Sequence, residues 1–453
     1  MTSIVAAAAR EPARHSRHAV RVRAALALVI ATFVAKHIVT SFVFPPFSGH
    51  DEVAHYGYLR TVALQGRLPL LRDPLPPDLS PYRAYALDWA AGPGYQYAAV
   101  HPPLYYFLMA PLVRASPAAS PETHLYLVRL AGVWIGVATV LLAWALAREI
   151  FPNDAFMVIT TPLLVAFQPQ VSYEAAIVNN DALGIASAGL VLWLVARATR
   201  GGFRPAVALT IGVALGVALV AKTTALVLTP VIALAACLAP HRGWRDLLQA
   251  AGLVALATVA VAAAWYVFML RTYGDLTGLT ELAELQRSWN RSLGTFPELL
   301  FSTGFLVERF KETWGGFGWR RAPLDPGLLW AIGSASVLAA AGLVRWALTL
   351  TRLAPPWHSD DDLHQGRALL VLLCACVVAY LAVVQFGTRF ALTQARYYFP
   401  VVNAAAVLAA VGFRELTPPR HRGRVQALLY VTLVVLNLMI FTRSVVPAWY
   451  FPK

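Results

Sequence analysis

Charge is scarce in this chain of 453 residues: only 13% are Asp, Glu, Lys or Arg, against about 25% in a soluble globular domain. With 58% hydrophobic residues and apolar runs of about 20 residues recurring from end to end, that shortage excludes a single water-soluble core. Strict two-residue alternation is also missing, which excludes an outer-membrane barrel. An all-α bundle of membrane-spanning helices is expected, because a helix satisfies its own backbone in hydrocarbon. Neither a Walker loop nor a glycine-rich dinucleotide fingerprint occurs. The one acidic run, Asp360-Asp361-Asp362, sits between apolar segments and reads as a solvated loop. Cysteine is nearly absent. Cys237, Cys374 and Cys376 all lie within apolar runs, and the last two, two residues apart, point in different directions on a helix and cannot share a metal.

Acidic residues are the scarcer sign, 23 against 37 basic ones, for a formal charge of +14. The placement of the excess speaks against a nucleic-acid partner. Arg10, Arg14, Arg17, Arg21 and Arg23 precede the first apolar run, and Arg414, Arg420, Arg422 and Arg424 share one short loop. Such clusters orient spans and meet anionic headgroups. The first apolar run reaches Phe44 without a small-residue cleavage site, so it is expected to stay as a span rather than leave as a signal peptide.

Hydropathy places about eleven spans, at 24–44, 125–147, 155–171, 182–199, 206–221, 224–240, 247–270, 327–347, 367–387, 397–413 and 425–445. Arg148, Arg197, Arg200, Arg204, Arg242, Arg245, Arg345, Arg352, Arg367 and the 414–424 cluster then share the cytoplasmic side. The same parity puts Trp449 to Lys453 outside. It also requires that the stretch from His101 to Val113, about 13 residues and too short to cross, lie in the outer interface. Residues 52–65 form a second such helix, with Val53, Tyr56, Leu59, Val62 and Ala63 at helical spacing. The expected organisation is a seven-span catalytic module over 1–270, including a first outer loop at 45–124. A long outer loop at 271–326 and a four-span module at 327–453 follow.

The polar residues able to do chemistry gather at the outer ends of these spans. In Gly49-His50-Asp51-Glu52-Val53-Ala54-His55-Tyr56, adjacent carboxylates beside two histidines suit a general base or a divalent metal, while Asp51 as a helix cap is the plain alternative. His101-Pro102-Pro103-Leu104 opens the other surface helix, and reads equally as a helix start in an aromatic belt. Gln168-Pro169-Gln170, Tyr173-Glu174 and Asn179-Asn180-Asp181 make an unusually polar hairpin, where Asn180 or Asp181 could simply cap. Lys222, Arg389 and Arg396 are cations at the outer edge, against the orientation bias. Binding a lipid phosphate is one reason for them, and snorkelling to headgroups is another. Lys36 and His37 fall inside the first span, where they either snorkel or face a cavity. Glu312-Thr313-Trp314-Gly315-Gly316-Phe317-Gly318-Trp319 mixes glycines with aromatics, as a stacking surface for sugar or isoprenoid would, or an interfacial turn.

In this order the residues resemble a known superfamily. Asp51-Glu52 follows the first span, His101-Pro102-Pro103-Leu104 opens a second surface helix, Arg129-Leu130 starts a span, and a polar hairpin and a long outer loop follow. The pattern is similar to the GT-C membrane glycosyltransferases that use polyprenyl-phosphate sugars, among them the dolichyl-phosphate-mannose protein mannosyltransferases and the lipid A aminoarabinose transferases. The Asn-Asp hairpin, the Gly-Phe-Gly-Trp loop and the Ala395-Arg396-Tyr397-Tyr398-Phe399-Pro400 segment look most like an uncharacterised branch of predicted bacterial membrane proteins. The resemblance implies a plasma-membrane enzyme with its site on the non-cytoplasmic side. Asp51 is then the catalytic acid, with Glu52 beside it. His55, His101, Glu174, Asn180, Asp181, Lys222, Arg389, Arg396 and Tyr397 are expected to bind substrate. The donor would be a polyprenyl-phosphate-linked sugar and the acceptor a glycan, lipid or protein of the envelope. A single displacement would invert the anomeric carbon. Lipid or solute transport is the alternative, and it predicts ionisable residues at span midplanes.

Overall fold

The computed structural model describes residues 2–85, 94–285, 291–352, 359–391 and 393–451. Among them there is no strand, only isolated bridges at Pro74–Tyr95 and Phe317–Ala322. Eight helices are long and apolar enough to cross a membrane: Val20–Val43, Pro121–Ile150, Asp181–Gly201, Trp244–Tyr273, Pro326–Thr349, Asp360–Gly387, Ala395–Leu416 and Pro419–Tyr450. Their outward faces are apolar, with Trp134 and Trp330 exposed by 76% and 78%, as lipid-facing surfaces are. All eleven expected segments are helical. The count of eleven spans is not reached by length, however, because the helices at Pro205–Ala221 and Thr223–Leu238 are shorter.

The segment expected to span at 155–171 departs most from a straight helix. It is a pair, Ala155–Phe167 and Pro169–Ala176, bent by 60°. Pro169 lacks the amide hydrogen that would continue the first helix, and the chain turns there. The carbonyls freed at the break are met from other helices: Lys36 Nζ donates to the Ala166 carbonyl at 2.5 Å, and Asn437 Nδ2 donates to that of Phe167 at 2.9 Å. Lys36 therefore does not snorkel, because broken-helix carbonyls are the better partner for an ammonium in an apolar surround. His37 is occupied in the same way, with Nε2 2.9 Å from the Arg129 carbonyl oxygen.

Small residues bring helices to backbone contact, the usual device where lipid gives no hydrophobic incentive to associate. A Cβ on Gly412 would stand 1.9 Å from the Ala339 carbonyl oxygen, which fixes the crossing of Pro326–Arg352 and Val402–Leu416. The first outer segment has a small core of its own. The helices Glu52–Arg60, continued by a π-turn through Gln65, and Leu104–Arg114 pack Tyr56, Tyr58, Leu59, Tyr105, Tyr106 and Val113 against Leu125 and Val128 of the second span. Two helices at these positions match the pair expected to lie in the outer interface. Pro452 and Lys453 of the C-terminal tail lie outside the described residues.

Candidate active site

Asp51 occupies the N-cap position of the Glu52–Arg60 helix but does not cap it. Its backbone is left-handed, with φ 58° and ψ 1°, a conformation Asp tolerates better than most residues. That geometry turns the carboxylate away from the helix, and Oδ2 accepts from Arg396 Nη2 at 2.6 Å. The next residue points elsewhere. Glu52 is fully buried and pairs bidentately with Arg129, Nε to Oε1 at 2.8 Å and Nη2 to Oε2 at 2.6 Å. The amides of Gly49 and Val178 donate to it as well.

Across from Asp51, the bent pair delivers the polar hairpin. Gln168 stabilises the bend by accepting from the Val171 amide at 2.6 Å and donating to the Thr313 carbonyl. The second half-helix then carries Gln170, Tyr173 and Glu174 inward. Glu174 is completely buried, with Gln170 Nε2 at 3.0 Å, Asn179 Nδ2 at 2.7 Å and His50 Nε2 at 3.0 Å from its oxygens. Asn180 does not cap: it donates to the Ala221 carbonyl at 2.9 Å and accepts from Lys222 at 3.3 Å. Lys222 reaches Asp181 Oδ1 at 2.6 Å, its stem passing over Gly184, where a Cβ would lie 2.9 Å from the Lys222 Cβ. Arg396 Nη1 holds the other oxygen of Asp181 at 3.3 Å. A chain of alternating charge thus runs Asp51–Arg396–Asp181–Lys222, all four side chains buried.

These groups close one end of a cavity of about 350 Å³. Asp51, His101, Lys222, Arg396, Tyr397 and Trp319 line it on the polar side; Leu226, Val227, Leu279, Leu282, Val383 and Phe386 form much of the rest. The cations are incompletely used, since Arg396 Nε is buried without a partner among the described residues.

His101 stacks on His55, with ring centroids 5.1 Å apart and planes at 13°, and His55 Nδ1 lies 2.6 Å from the Tyr106 hydroxyl. Desolvation in the cavity wall, reinforced by Lys222, holds His101 far below the usual imidazole range, at about 3, despite the opposing pull of Asp51 and Asp181. His55 is lowered as well, by burial and then by His101. Both rings are neutral at physiological pH, so they offer hydrogen bonds and no charge.

The second long outer segment reaches the same place. Glu312 accepts from the Ala395 amide at 3.0 Å, from Arg309 at 2.9 Å and from Arg320, which clamps the backbone beside Arg396. Three consecutive residues then turn left-handed, Gly318, Trp319 and Arg320, with φ of 53°, 58° and 65°. For a bulky residue such as Trp this costs on the order of 1–3 kcal/mol and persists only where the surroundings impose it. The Tyr173 hydroxyl supplies part of that constraint, accepting from the amides of Gly318 at 3.0 Å and of His50 at 3.3 Å.

His50, Glu174 and Asp181 bring one imidazole nitrogen and two carboxylates within 4.8 Å of one another, a donor set suited to a divalent ion such as Zn²⁺. Both Asp181 oxygens are already taken by Lys222 and Arg396, and both Glu174 oxygens by side-chain amides. A metal here would share these oxygens with the partners they already hold.

The structure brings five of the expected site residues to the cavity: Asp51, His101, Lys222, Arg396 and Tyr397. His55, Glu174, Asn180 and Asp181 stand directly behind them, whereas Arg389 is exposed and outside the lining. Residues that carried no expectation of this kind are Arg129, Tyr173, Asn179 and Gln170, while His50 was read only as one of the two histidines beside the carboxylates. A signal did exist for Arg129, since an arginine inside an apolar span demands a counter-charge, but nothing in the sequence singled out Glu52 over the nearer Glu122 and Glu149. Tyr173 gave none, because a hydroxyl bridging two distant backbones leaves no mark on periodicity.

The model of a family described as "Predicted membrane protein (DUF2142)" matches residues 86–405. No curated protein matches the chain. Among solved structures, the oligosaccharyltransferase of Archaeoglobus fulgidus, crystallised with Zn and sulfate, superposes with a TM-score of 0.50 at 14% identity, over 91% of this chain and 52% of that one. ArnT from Cupriavidus metallidurans in the apo state gives 0.50 at 17% identity, over 92% and 73%. This chain therefore spans about half the length of the oligosaccharyltransferase it resembles. At such identity the likeness is one of fold, and the fold is that of the GT-C membrane glycosyltransferases, as the sequence pattern implied.

Proposed function

The chain belongs to the DUF2142 family of predicted membrane proteins, and from its GT-C fold and the cavity at Asp51 we propose that it is a glycosyltransferase. It moves a sugar from a polyprenyl-phosphate donor to an acceptor hydroxyl at the non-cytoplasmic face of the cell membrane. The observation that carries the reading is the cavity's division into a charged end, with Asp51, Lys222 and Arg396, and an apolar wall. A lipid phosphate has the same two halves.

The isoprenoid lies along the apolar wall and its phosphate meets Arg396 and Lys222, Arg396 offering the free Nε hydrogen first. The arriving phosphate competes with Asp51 for the guanidinium. As the pair loosens, the carboxylate is freed beside the anomeric carbon and takes the proton of the attacking hydroxyl. The new glycosidic bond forms as the bond to the phosphate oxygen breaks, inverting the centre. The cations stabilise the charge left on the departing lipid phosphate. Asp181 keeps both cations in register, and Glu52, with no oxygen to spare, anchors the backbone from which Asp51 projects. No step requires a metal. The acceptor belongs to the envelope glycan, lipid or protein classes.

Outward orientation is supported by the arginines, which gather at the far ends of the helices, at Arg200, Arg204, Arg242, Arg245, Arg414 and Arg422. Transport is disfavoured by the ionisable groups within the spans. Lys36, His37 and Arg129 are engaged with backbone carbonyls and Glu52 rather than left to bind a solute.

Asp51→Asn tests the reading. Asn tolerates the left-handed backbone and keeps the shape, but the amide cannot accept a proton. Purified variants of matched thermal stability, assayed for transfer from polyprenyl-phosphate sugars, should show a loss of about 10²-fold or more. Activity within a few-fold of the parent would remove Asp51 from the mechanism.

A further inference from the structure

Trp319 is the residue whose circumstances the mechanism above leaves unexplained. Its ring lines the cavity at the charged end and meets the His50 ring edge-on, with centroids 6.3 Å apart and planes at 80°. Its backbone sits in the left-handed region, which a tryptophan adopts only under compulsion. The compulsion comes from both sides. Phe317 is wedged into the aromatic cluster of Phe44 and Tyr173, the Gly318 amide is held by the Tyr173 hydroxyl, and Arg320 is paired with Glu312. Gly318 lies so close to the Trp449 ring that a Cβ there would stand 2.4 Å away. Every neighbour in the turn is tied to protein, and the strain is spent on presenting one side chain to the cavity. Among the described residues the Trp319 indole nitrogen is buried without a hydrogen-bond partner. A desolvated N–H left unpaired is disfavoured unless something else arrives to accept it.

We propose that Trp319 contacts the sugar of the lipid-linked donor, its ring lying against the C–H face of the sugar and its indole N–H donating to one of the sugar's oxygens. This rests on the donor class proposed above. The chemistry fits a glycosyl group better than the lipid or its phosphate. A sugar ring combines an apolar C–H face with acceptor oxygens at its edge, and indole combines an apolar face with a single donor. The phosphate already has two cations, and the isoprenoid has the apolar wall. The sugar must lie between the phosphate and Asp51, where Trp319 lines the charged end with His50 packed behind it. The Tyr173 hydroxyl, joining the amides of Gly318 and His50, locks this ring to the loop that carries Asp51. Recognition and proton transfer are thereby held in one frame.

The test is binding without an acceptor, so that turnover does not enter. Purified full-length protein is titrated with undecaprenyl phosphate and with a panel of undecaprenyl-phosphate hexoses and pentoses. The parent should bind at least one sugar-bearing lipid about tenfold or more tightly than the bare lipid. Trp319→Ala should erase that gain while holding the bare lipid within about twofold of the parent, which also reports that the cavity is intact. Trp319→Phe keeps a ring and loses only the N–H, so it should surrender about three- to tenfold of the gain; should the alanine variant fail to fold, this variant decides. A sugar preference unchanged by the substitutions overturns the inference, as does a parent with no sugar preference. A parent that binds none of these lipids defeats the proposed donor class itself, a result distinguishable from both.

Discussion

Asp51 and Glu52 are neighbours in the chain but belong to two different regions. On the Glu52 side every valence is filled. Arg129 directs its donors to Glu52 and to the carbonyls of Ser41, Phe44 and Pro45, while Glu52 takes two further amides. On the Asp51 side Arg396 is shared between two carboxylates, its Nε is unpaired, and a cavity opens beside it. A buried ion pair with no free lone pair or hydrogen cannot exchange partners without exposing an uncompensated charge. A pair left incomplete can exchange them for an arriving anion. Completeness of hydrogen bonding, more than charge or burial, therefore separates framework from machinery here.

The largest effect that tests this contrast is on stability. Arg129→Ala strands Glu52 and three carbonyls in a dry interior, and removing one partner of such a pair costs about 3–5 kcal/mol. The variant should be poorly recovered and melt well below the parent, and Glu52→Gln should move in the same direction by less. Arg129→Ala purified with parental thermal stability would break the distinction.

Arg396→Lys sharpens it from the other side. Lysine keeps the charge but lacks the planar fork, so it cannot hold two carboxylates and then turn to a phosphate. The Michaelis constant for the lipid donor should rise roughly tenfold, with a change in melting temperature much smaller than that of Arg129→Ala. Unaltered donor kinetics would remove Arg396 from phosphate binding.

Much of this was legible in the chain. The helices follow from apolar runs of bilayer length, and the arginine clusters gave their sense. Asp51, His101, Lys222 and Arg396 stood out because polar groups at span ends need a reason to be there, and they converge on one cavity. Glu52 shows the limit. One residue on from Asp51 it was bound to point elsewhere on a helix, but that it is locked to the distant Arg129, while the left-handed backbone at Asp51 sends that carboxylate to Arg396, left no mark in the sequence. The bend at Gln168-Pro169 was hidden by its hydropathy, since Lys36 and Asn437, far along the chain, make the break tolerable. Long-range partners of this kind do not appear in any local window.

The smallest effect expected concerns the histidines of the open side. His101 titrates near 3 in the folded protein and near 6.5 in an unfolded chain. Between those values the unfolded state binds the proton and the folded state does not, so stability rises with pH across the window. It is complete above about 6.5 and is lost progressively as pH falls toward 3. His55, lowered by the same burial and stacked on His101, adds a contribution of the same sign. Melting temperature measured in steps from pH 7 to 4 should therefore fall for the parent. In His101→Gln, which retains hydrogen bonding without a titrating ring, the slope should be shallower, with His55 contributing to what remains. The framework side is not engaged by this change, so an Arg129 or Glu52 variant stable enough to measure should keep the parental slope from a lower starting point. A slope identical in the parent and in His101→Gln would mean that the imidazole is already charged in the folded cavity, and the account of a neutral ring beside Lys222 would have to be given up.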